Sequence, residues 1–316
     1  MASKKTIAII GATGAQGGGL AHAILSDQNS EFQVRAVTRD PGSDKAQKLA
    51  SLGAEVVKAD LDNLESLKRV FKDAYGIFCV TNYWEHFSTD REIEQASNMA
   101  KAASNAGAKH VIWSTLEDTR GWIPLDDDRM PTLKDKYKVP HFDAKGEANS
   151  FFTKHDVPTT FMMASFYWDN MIFFGMGPQK DPNGNLSITF PMGDKKMPGI
   201  AAEDIGKCAY GIFKKGSEYI GKTVGIAGEH LSGNEMAAAL SKAFDKEIHY
   251  NDVPADVYRS FGFPGADDLG NMFQFYRDFN DYFRGARDVD ESRALNPSLL
   301  SFDQWLAKNK DLIPIN

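Results

Sequence analysis

The sequence predicts an α/β protein built on a doubly wound parallel sheet, with a smaller mixed α/β part behind it. Three observations carry this. An apolar strand at Thr6-Ile7-Ala8-Ile9-Ile10 runs straight into a glycine turn, Gly11-Ala12-Thr13-Gly14-Ala15-Gln16-Gly17. Strand-like and helix-like segments then alternate to about residue 165. Beyond that point Pro and Gly become frequent between residues 175 and 199 and the rhythm is lost. Such alternation implies right-handed crossovers, parallel strands and helices on both faces of the sheet. The expected division is a Rossmann-type nucleotide-binding domain over residues 1–164 and a smaller mixed α/β domain over 165–316, the two interleaved.

The glycine turn supplies the first functional signal. Gly11 can take a backbone conformation that a side chain would obstruct. Gly14 lets the backbone approach a pyrophosphate, and Gly17 lets the following helix pack against the strand. The N-terminus of that helix, expected over 17–26, presents unpaired N–H groups and partial positive charge to phosphates. Strand before and helix after are the context that separates a dinucleotide site from a merely structural turn.

The second strand, 33–39, ends in Thr38 and Arg39, with Lys45 in the helical segment 43–52 that follows. An NAD site usually has a carboxylate here for the ribose hydroxyls, whereas an NADP site has a cation for the 2′-phosphate. Arg suits phosphate because its planar fork can engage two oxygens, so NADP(H) is the expected cofactor. The alternative is a solvated surface arginine, paired with Asp40.

The remaining elements follow in order. A third strand at 54–58 leads to Asp60-Leu61-Asp62. A helix at 64–73 carries Leu64, Leu67, Val70 and Phe71 at helical spacing. Strand 77–80, helix 89–106, strand 110–114 and strand 158–163 complete the alternating part. Further on, strand 186–190 stands alone, helices are expected at 202–213, 233–244 and 266–283, and short strands at 223–227 and 247–253. This second part should cap the carboxyl ends of the parallel strands, leaving the binding cleft between the two. Expected cofactor contacts are Gly11, Thr13, Gly14, Ala15, Gln16 and Gly17, then Arg39 and Lys45, and Asp60 and Leu61 after the third strand. Thr81, Asn82 and Tyr83 after the fourth strand should pass the nicotinamide half, with Tyr167 and Asn170 after the sixth at its far end. Tyr83 and Trp84 could cover the ring or fill core space. A ring walled off by Tyr83, Trp84 and Trp168 would suit a sensor, and an open apolar pocket an enzyme.

Composition sets limits on the rest. With 316 residues, 42% hydrophobic and 25% charged, the chain can bury a sizeable core. A net charge of −7 argues against a nucleic-acid surface as the main partner. Cys79 and Cys208 cannot make a disulfide framework, and each lies in the apolar context of a buried thiol. Met-Ala-Ser-Lys-Lys leads directly into the first strand, leaving no room for a signal peptide. No apolar run approaches the roughly 20 residues of a membrane span. The expectation is a cytoplasmic protein, with the nucleus as a second compartment and no membrane partner. Asp126-Asp127-Asp128 reads as a solvated loop, and seven scattered histidines give no zinc pattern, so no metal is expected.

Four stretches carry a family resemblance: the glycine turn, Val80-Thr81-Asn82-Tyr83-Trp84-Glu85, His141-Phe142-Asp143-Ala144-Lys145-Gly146 and Gly262-Phe263-Pro264-Gly265-Ala266. Together they resemble the NmrA-like family, an atypical branch of the short-chain dehydrogenases and reductases. The tail, with Asn296-Pro297 and Ser301-Phe302-Asp303-Gln304-Trp305-Leu306, resembles NADPH-sensing members of that family. The resemblance implies NADP binding and a regulatory role in which the dinucleotide changes association with protein partners, a homodimer included. It also implies kinship with isoflavone-reductase-like enzymes.

Working short-chain dehydrogenases place a Tyr and a Lys four residues apart on one helix face, assisted by a Ser. Here Lys145 and Ser114 occupy two of those positions and His141 stands in place of the Tyr. His141 could serve as acid or base near neutral pH, or simply be a first-turn residue after Pro140. Tyr137 is the nearest tyrosine, but Pro140 should open the helix after it and take it off the required face. Lys145 could act as acid–base group alone, or only hold the cofactor ribose; base chemistry by a lysine at neutral pH needs a strongly depressed pKa. The expected function is therefore an NADP(H)-binding redox sensor with little or no dehydrogenase activity. The alternative is a reductase working through Lys145.

Overall fold

The strand Lys5–Ile10 (β1) is buried at every position from Thr6 to Ile10, as a strand covered on both faces must be. In the computed structural model, which describes residues 4–181 and 184–315, β1 begins a regular alternation. It continues with α1 (Ala15–Ser26), β2 (Phe32–Thr38), α2 (Asp44–Ser51), β3 (Glu55–Lys58), α3 (Leu64–Phe71) and β4 (Gly76–Cys79). Next come α4 (Thr89–Asn105), β5 (His110–Thr115), α5 (Pro140–Lys154) and β6 (Thr159–Met163). Helix starts follow local chemistry: Asn63 accepts the Ser66 N–H at α3, Ser88 accepts the Arg91 N–H at α4, and Pro140 opens α5.

The rest of the chain supplies β7 (Phe166–Tyr167), α6 (Asn170–Phe173), β8 (Gln179–Lys180), β9 (Leu186–Phe190), β10 (Met197–Ile200) and α7 (Ala202–Lys215). It ends with β11 (Thr223–Gly225), β12 (Glu229–Leu231), α8 (Gly233–Phe244), β13 (Ile248–Asp252) and α9 (Ala255–Arg259), then α10 (Ala266–Asp278), α11 (Asn280–Gly285), α12 (Val289–Leu295) and α13 (Phe302–Asn309).

Seven parallel strands form one sheet in the order β11-β6-β5-β4-β1-β2-β3. Chain order reverses between β1 and β4, and such a switch point opens a crevice at the carboxyl ends of the strands. One face is covered by α1 and α7, which pack so closely that a Cβ on Gly206 would lie 2.0 Å from the Leu20 amide nitrogen. The other face buries Leu67, Val70 and Phe71 of α3 with Met99 and Ala103 of α4.

Three expectations change. The segment near 223–227, read with the carboxy-terminal part, instead adds β11 to the edge of the main sheet beside β6, where Val224 and Ile226 join the α1–α7 core. Strand β9 does not stand alone but is the centre of a small sheet, parallel to β13 and antiparallel to β8. The helix expected over 266–283 is broken at Phe279. There the Asn280 side-chain amide donates to the carbonyls of Lys196 and Tyr276, at 2.8 and 2.9 Å, a local alternative to the helical ladder. A third sheet, β12-β10-β7, follows β6 and leads the chain over the crevice.

Candidate cofactor and active site

At the switch point Gly11 has φ +65°, in the left-handed region that disfavours side chains. Its carbonyl accepts the Gly14 N–H at 2.8 Å. Gly14 is the N-cap of α1 with no side chain capping it, so the helix offers its first N–H groups outward. A Cβ at Gly17 would lie 2.5 Å from the Gly11 carbonyl oxygen; the absence of a side chain there brings helix and strand together. Thr13, Gly14, Ala15, Gln16 and Gly17 line one end of a cavity of about 900 Å³. On its wall, the Gln16 Oε1 and Ser165 Oγ atoms are buried and lack a hydrogen-bond partner among the described residues. A glycine cradle at a helix N-terminus, with unspent polar atoms beside it, fits a dinucleotide pyrophosphate.

At the end of β2, Thr38, Arg39 and Lys45 line the same cavity, as do Asp60 and Leu61 after β3. Lys45 is exposed. Arg39 is not paired with Asp40, whose carboxylate instead accepts the Gly42 N–H at 3.0 Å. Its partner is Glu85, on the single 3₁₀ turn Tyr83–Glu85 after β4. The guanidinium hydrogen bond holds the Glu85 carboxyl below its usual range. Sequence pattern gave no signal for this pair, which spans two strands.

Beyond the turn the cavity passes Thr81, Asn82 and Lys145. Lys145 Nζ lies 2.6 Å from Glu92 Oε1 and donates to Thr81 Oγ1 at 2.5 Å and to the Thr81 carbonyl at 3.3 Å. Its three donors are thus directed at protein atoms. Thr81 Oγ1 in turn donates to Glu92 Oε1 at 2.5 Å. Glu92 is fully buried, and its Oε2 lies 3.6 Å from His86 Nε2. Glu92 was not foreseen, although a signal exists: it stands on the buried face of α4 with Thr89, Ala96 and Met99, where a carboxylate is costly unless paired.

His141 sits in the first turn of α5, one turn before Lys145, and both line the cavity together with Ser114 at the end of β5. His141 Nδ1 lies 2.6 Å from Asp268 Oδ1, and the His141 backbone N–H donates to Asp268 Oδ2 at 3.2 Å. Asp268 comes from α10, just after the Gly265 turn, and is buried. Trp84 packs against the imidazole at 4.7 Å between ring centres, and Tyr83 at 6.0 Å. Burial, with Asp268, Asp267 and Glu92 nearby, drives the Tyr83 phenol further from ionisation, the opposite of what a dehydrogenase tyrosine needs. Tyr137 is buried away from the cavity, beneath Arg120. The start of α5 is fixed by Asp143, whose carboxylate accepts the N–H groups of Thr119, Lys138 and Val139; burial pushes its pKa up to about 6.

Tyr167 and Asn170 line the cavity, and the Tyr167 hydroxyl accepts from Gln16 Nε2 at 2.5 Å. Trp168 does not wall it. Trp168 follows β7, and its ring packs in the core against Phe302 and Trp305. Past His141 the cavity is lined by Phe142, Phe166, Leu269, Met272 and Tyr276. Cys79 and Cys208 are buried free thiols. Among the described residues no three His, Cys, Asp or Glu side chains gather to hold a metal, and no helix is long and apolar enough to cross a membrane.

A doubly wound parallel sheet with a glycine turn at its switch point defines the class of Rossmann-type α/β proteins. Within that class the chain belongs to the NmrA-like family, whose profile matches residues 3–306. It is 30% identical over 287 residues to the NmrA-like family domain-containing oxidoreductase FrzB of Cladobotryum sp., covering 85% of this chain and 83% of that protein. An NmrA-like family domain-containing protein of Dictyostelium discoideum is 27% identical, covering 96% and 97%. Among solved structures, the negative transcriptional regulator NmrA in complex with NADP superposes with a TM-score of 0.78 at 23% identity, covering 96% of this chain and 94% of NmrA. The Citrobacter sp. triphenylmethane reductase complexed with NADP(H) superposes with a TM-score of 0.73 at 19% identity, covering 96% and 99%.

Proposed function

We propose that this chain binds NADP(H) along the cavity and uses it as an oxidoreductase on a small apolar substrate. The observation that carries this reading is one continuous cavity, running from the glycine turn and Arg39 past Lys145 to an apolar lobe at Phe166, Leu269 and Met272. The α1 N-terminus would hold the pyrophosphate, Arg39 and Lys45 the 2′-phosphate, and Asp60 and Leu61 the adenosine end. Thr81, Asn82, Tyr83, Tyr167 and Asn170 would flank the nicotinamide half, with Ser114 and Lys145 beside it. The cofactor, when reduced, supplies a hydride. Lys145, held by Glu92 and Thr81, borders that end of the site, and the apolar lobe excludes water from the substrate. Relatives named as oxidoreductases support the reading. Calorimetric titration with NADPH and NADH, then a screen of NADPH consumption with aromatic carbonyl compounds, tests it. Failure to bind either dinucleotide overturns it.

A second reading, a regulator that reports cofactor state to a protein partner, is favoured by the Arg39–Glu85 pair. A 2′-phosphate would compete with Glu85 for Arg39 and free the 83–85 turn, changing a surface that a partner or a second copy of this chain could read. The likeness to the NmrA regulator supports it, as does a cavity that reaches Phe87. Hydrogen exchange with and without NADPH follows that turn directly; identical protection in the two states counts against a sensor.

A further inference from the structure

Replacement of the dehydrogenase tyrosine by His141 looks at first like loss of the proton donor. The geometry around the ring says otherwise. His141 Nδ1 is anchored 2.6 Å from a buried carboxylate on another helix, and the same carboxylate accepts the His141 backbone N–H. That leaves Nε2, at the opposite side of the ring, for the cavity that His141 lines; among the described residues Nε2 has no hydrogen-bond partner. Trp84 and Phe142 pack on the imidazole, each at 4.7 Å between ring centres, so its orientation is fixed. A nitrogen held by a carboxylate, with the other nitrogen presented to a pocket, is the arrangement that lets a histidine carry a proton. The other ionisable candidates are committed elsewhere. Lys145 is spent on Glu92 and Thr81, and Tyr83 is buried among carboxylates.

We infer that His141, positioned by Asp268, gives the proton to the oxygen of a hydrophobic carbonyl substrate held in the apolar lobe. This rests on the oxidoreductase reading. The carbonyl carbon takes up a hydride, with its electron pair, from NADPH. The C=O π pair moves to oxygen, which accepts the Nε2 proton while the N–H bonding pair stays on the ring. The products are an alcohol, NADP⁺ and neutral His141 with its remaining proton on Nδ1, shared with Asp268; solvent restores the lost proton. Phe142, Phe166, Leu269, Met272 and Tyr276 select an aromatic or otherwise apolar carbonyl compound over a charged one. The titratable groups that meet the ring are Asp268 of α10 and Tyr83; Asp267 and Glu92 lie close to Tyr83, and Lys145, one turn further along α5, is paired with Glu92.

The test has one readout without cofactor and one with it. Imidazole ¹⁵N NMR of the free protein, the His141 signal assigned by its loss in His141→Asn, should show the neutral ring protonated on Nδ1. Asp268→Asn should shift that tautomer balance. In the second arm, NADPH affinity should stay within about twofold in both variants, since neither side chain holds the dinucleotide. Turnover of an aromatic aldehyde and an aryl-substituted unsaturated ketone should fall about 100-fold or more in His141→Asn, the range for lost general acid catalysis. If Asp268→Asn does not fold, the wild-type tautomer alone tests the positioning, and His141→Gln, which leaves Asp268 and its bond to the backbone of residue 141 in place, repeats the turnover comparison. A neutral ring protonated on Nε2 overturns the positioning by Asp268. Wild-type turnover that survives His141→Asn overturns the donor role alone. No wild-type turnover of either probe, with NADPH bound, overturns the oxidoreductase reading and the donor role together.

Discussion

Arg39 and Glu85 decide how this chain should tell NADPH from NADH. Their side chains are 63% and 40% exposed, and an ion pair so open to solvent is worth at most about 1 kcal/mol. A guanidinium fork on a phosphate is a hydrogen bond between charged groups, worth roughly 1.5–3 kcal/mol, so the 2′-phosphate should win the competition for Arg39. Arg39→Ala is then expected to weaken NADPH by roughly 10- to 150-fold, at about 1.4 kcal/mol per factor of ten, and to leave NADH nearly unchanged. Glu85→Gln frees the fork and removes a negative charge beside the phosphate subsite. It should tighten NADPH by up to about fivefold, again without moving NADH. In the double variant the gain from Glu85→Gln should shrink, because its route runs through Arg39. Calorimetric Kd values for the four proteins with both dinucleotides close the cycle. Equal changes in NADPH and NADH affinity would refute a phosphate-reading role for Arg39, and a Glu85→Gln effect that persists undiminished in Arg39→Ala would refute the competition.

Other consequences follow from the same geometry. Glu92→Gln leaves the Lys145 ammonium buried without its carboxylate and should cost about 3–5 kcal/mol of stability, measurable by urea unfolding; a loss under about 1 kcal/mol would mean the pair is not closed off from water. His110 is buried against Thr160, and burial pushes its pKa down to about 4. The unfolded chain therefore takes up a proton near pH 6.5 that the folded chain refuses until about pH 4, so stability falls as pH drops through that window, by about 3 kcal/mol in all. His110→Gln should flatten this acid limb, and an unchanged limb would assign it to other groups. Gly17→Ala puts a Cβ 2.5 Å from the Gly11 carbonyl oxygen, and separating strand from helix should cost about 1–3 kcal/mol. Binding of NADPH and NADH should weaken together there, since both carry the pyrophosphate; selective loss of NADPH would contradict the assignment of the turn.

The sequence by itself determined the strands and helices from β1 to β6, each within two residues of its place except α5, of which only the opening at Pro140 was legible. Those segments report burial locally: an apolar run for a strand covered on both faces, a three-to-four spacing for a helix with one face down. It also determined the glycine turn, whose requirement for missing side chains is written in three residues, and the placing of His141 one turn before Lys145. The pairing of β9 with β13, and of β11 with β6, was decided only in three dimensions. Strands of three to five residues owe their existence to a partner 60 residues away, which no local pattern records. The same holds for the charges that give the site its character. Glu85, Glu92 and Asp268 each sit on a different element from the cation or imidazole they hold. A carboxylate read from sequence is solvated until the fold shows what it faces. Only tertiary structure decides whether burial makes it costly, and whether a neighbouring charge then turns that cost into a rigid, chemically directed pair.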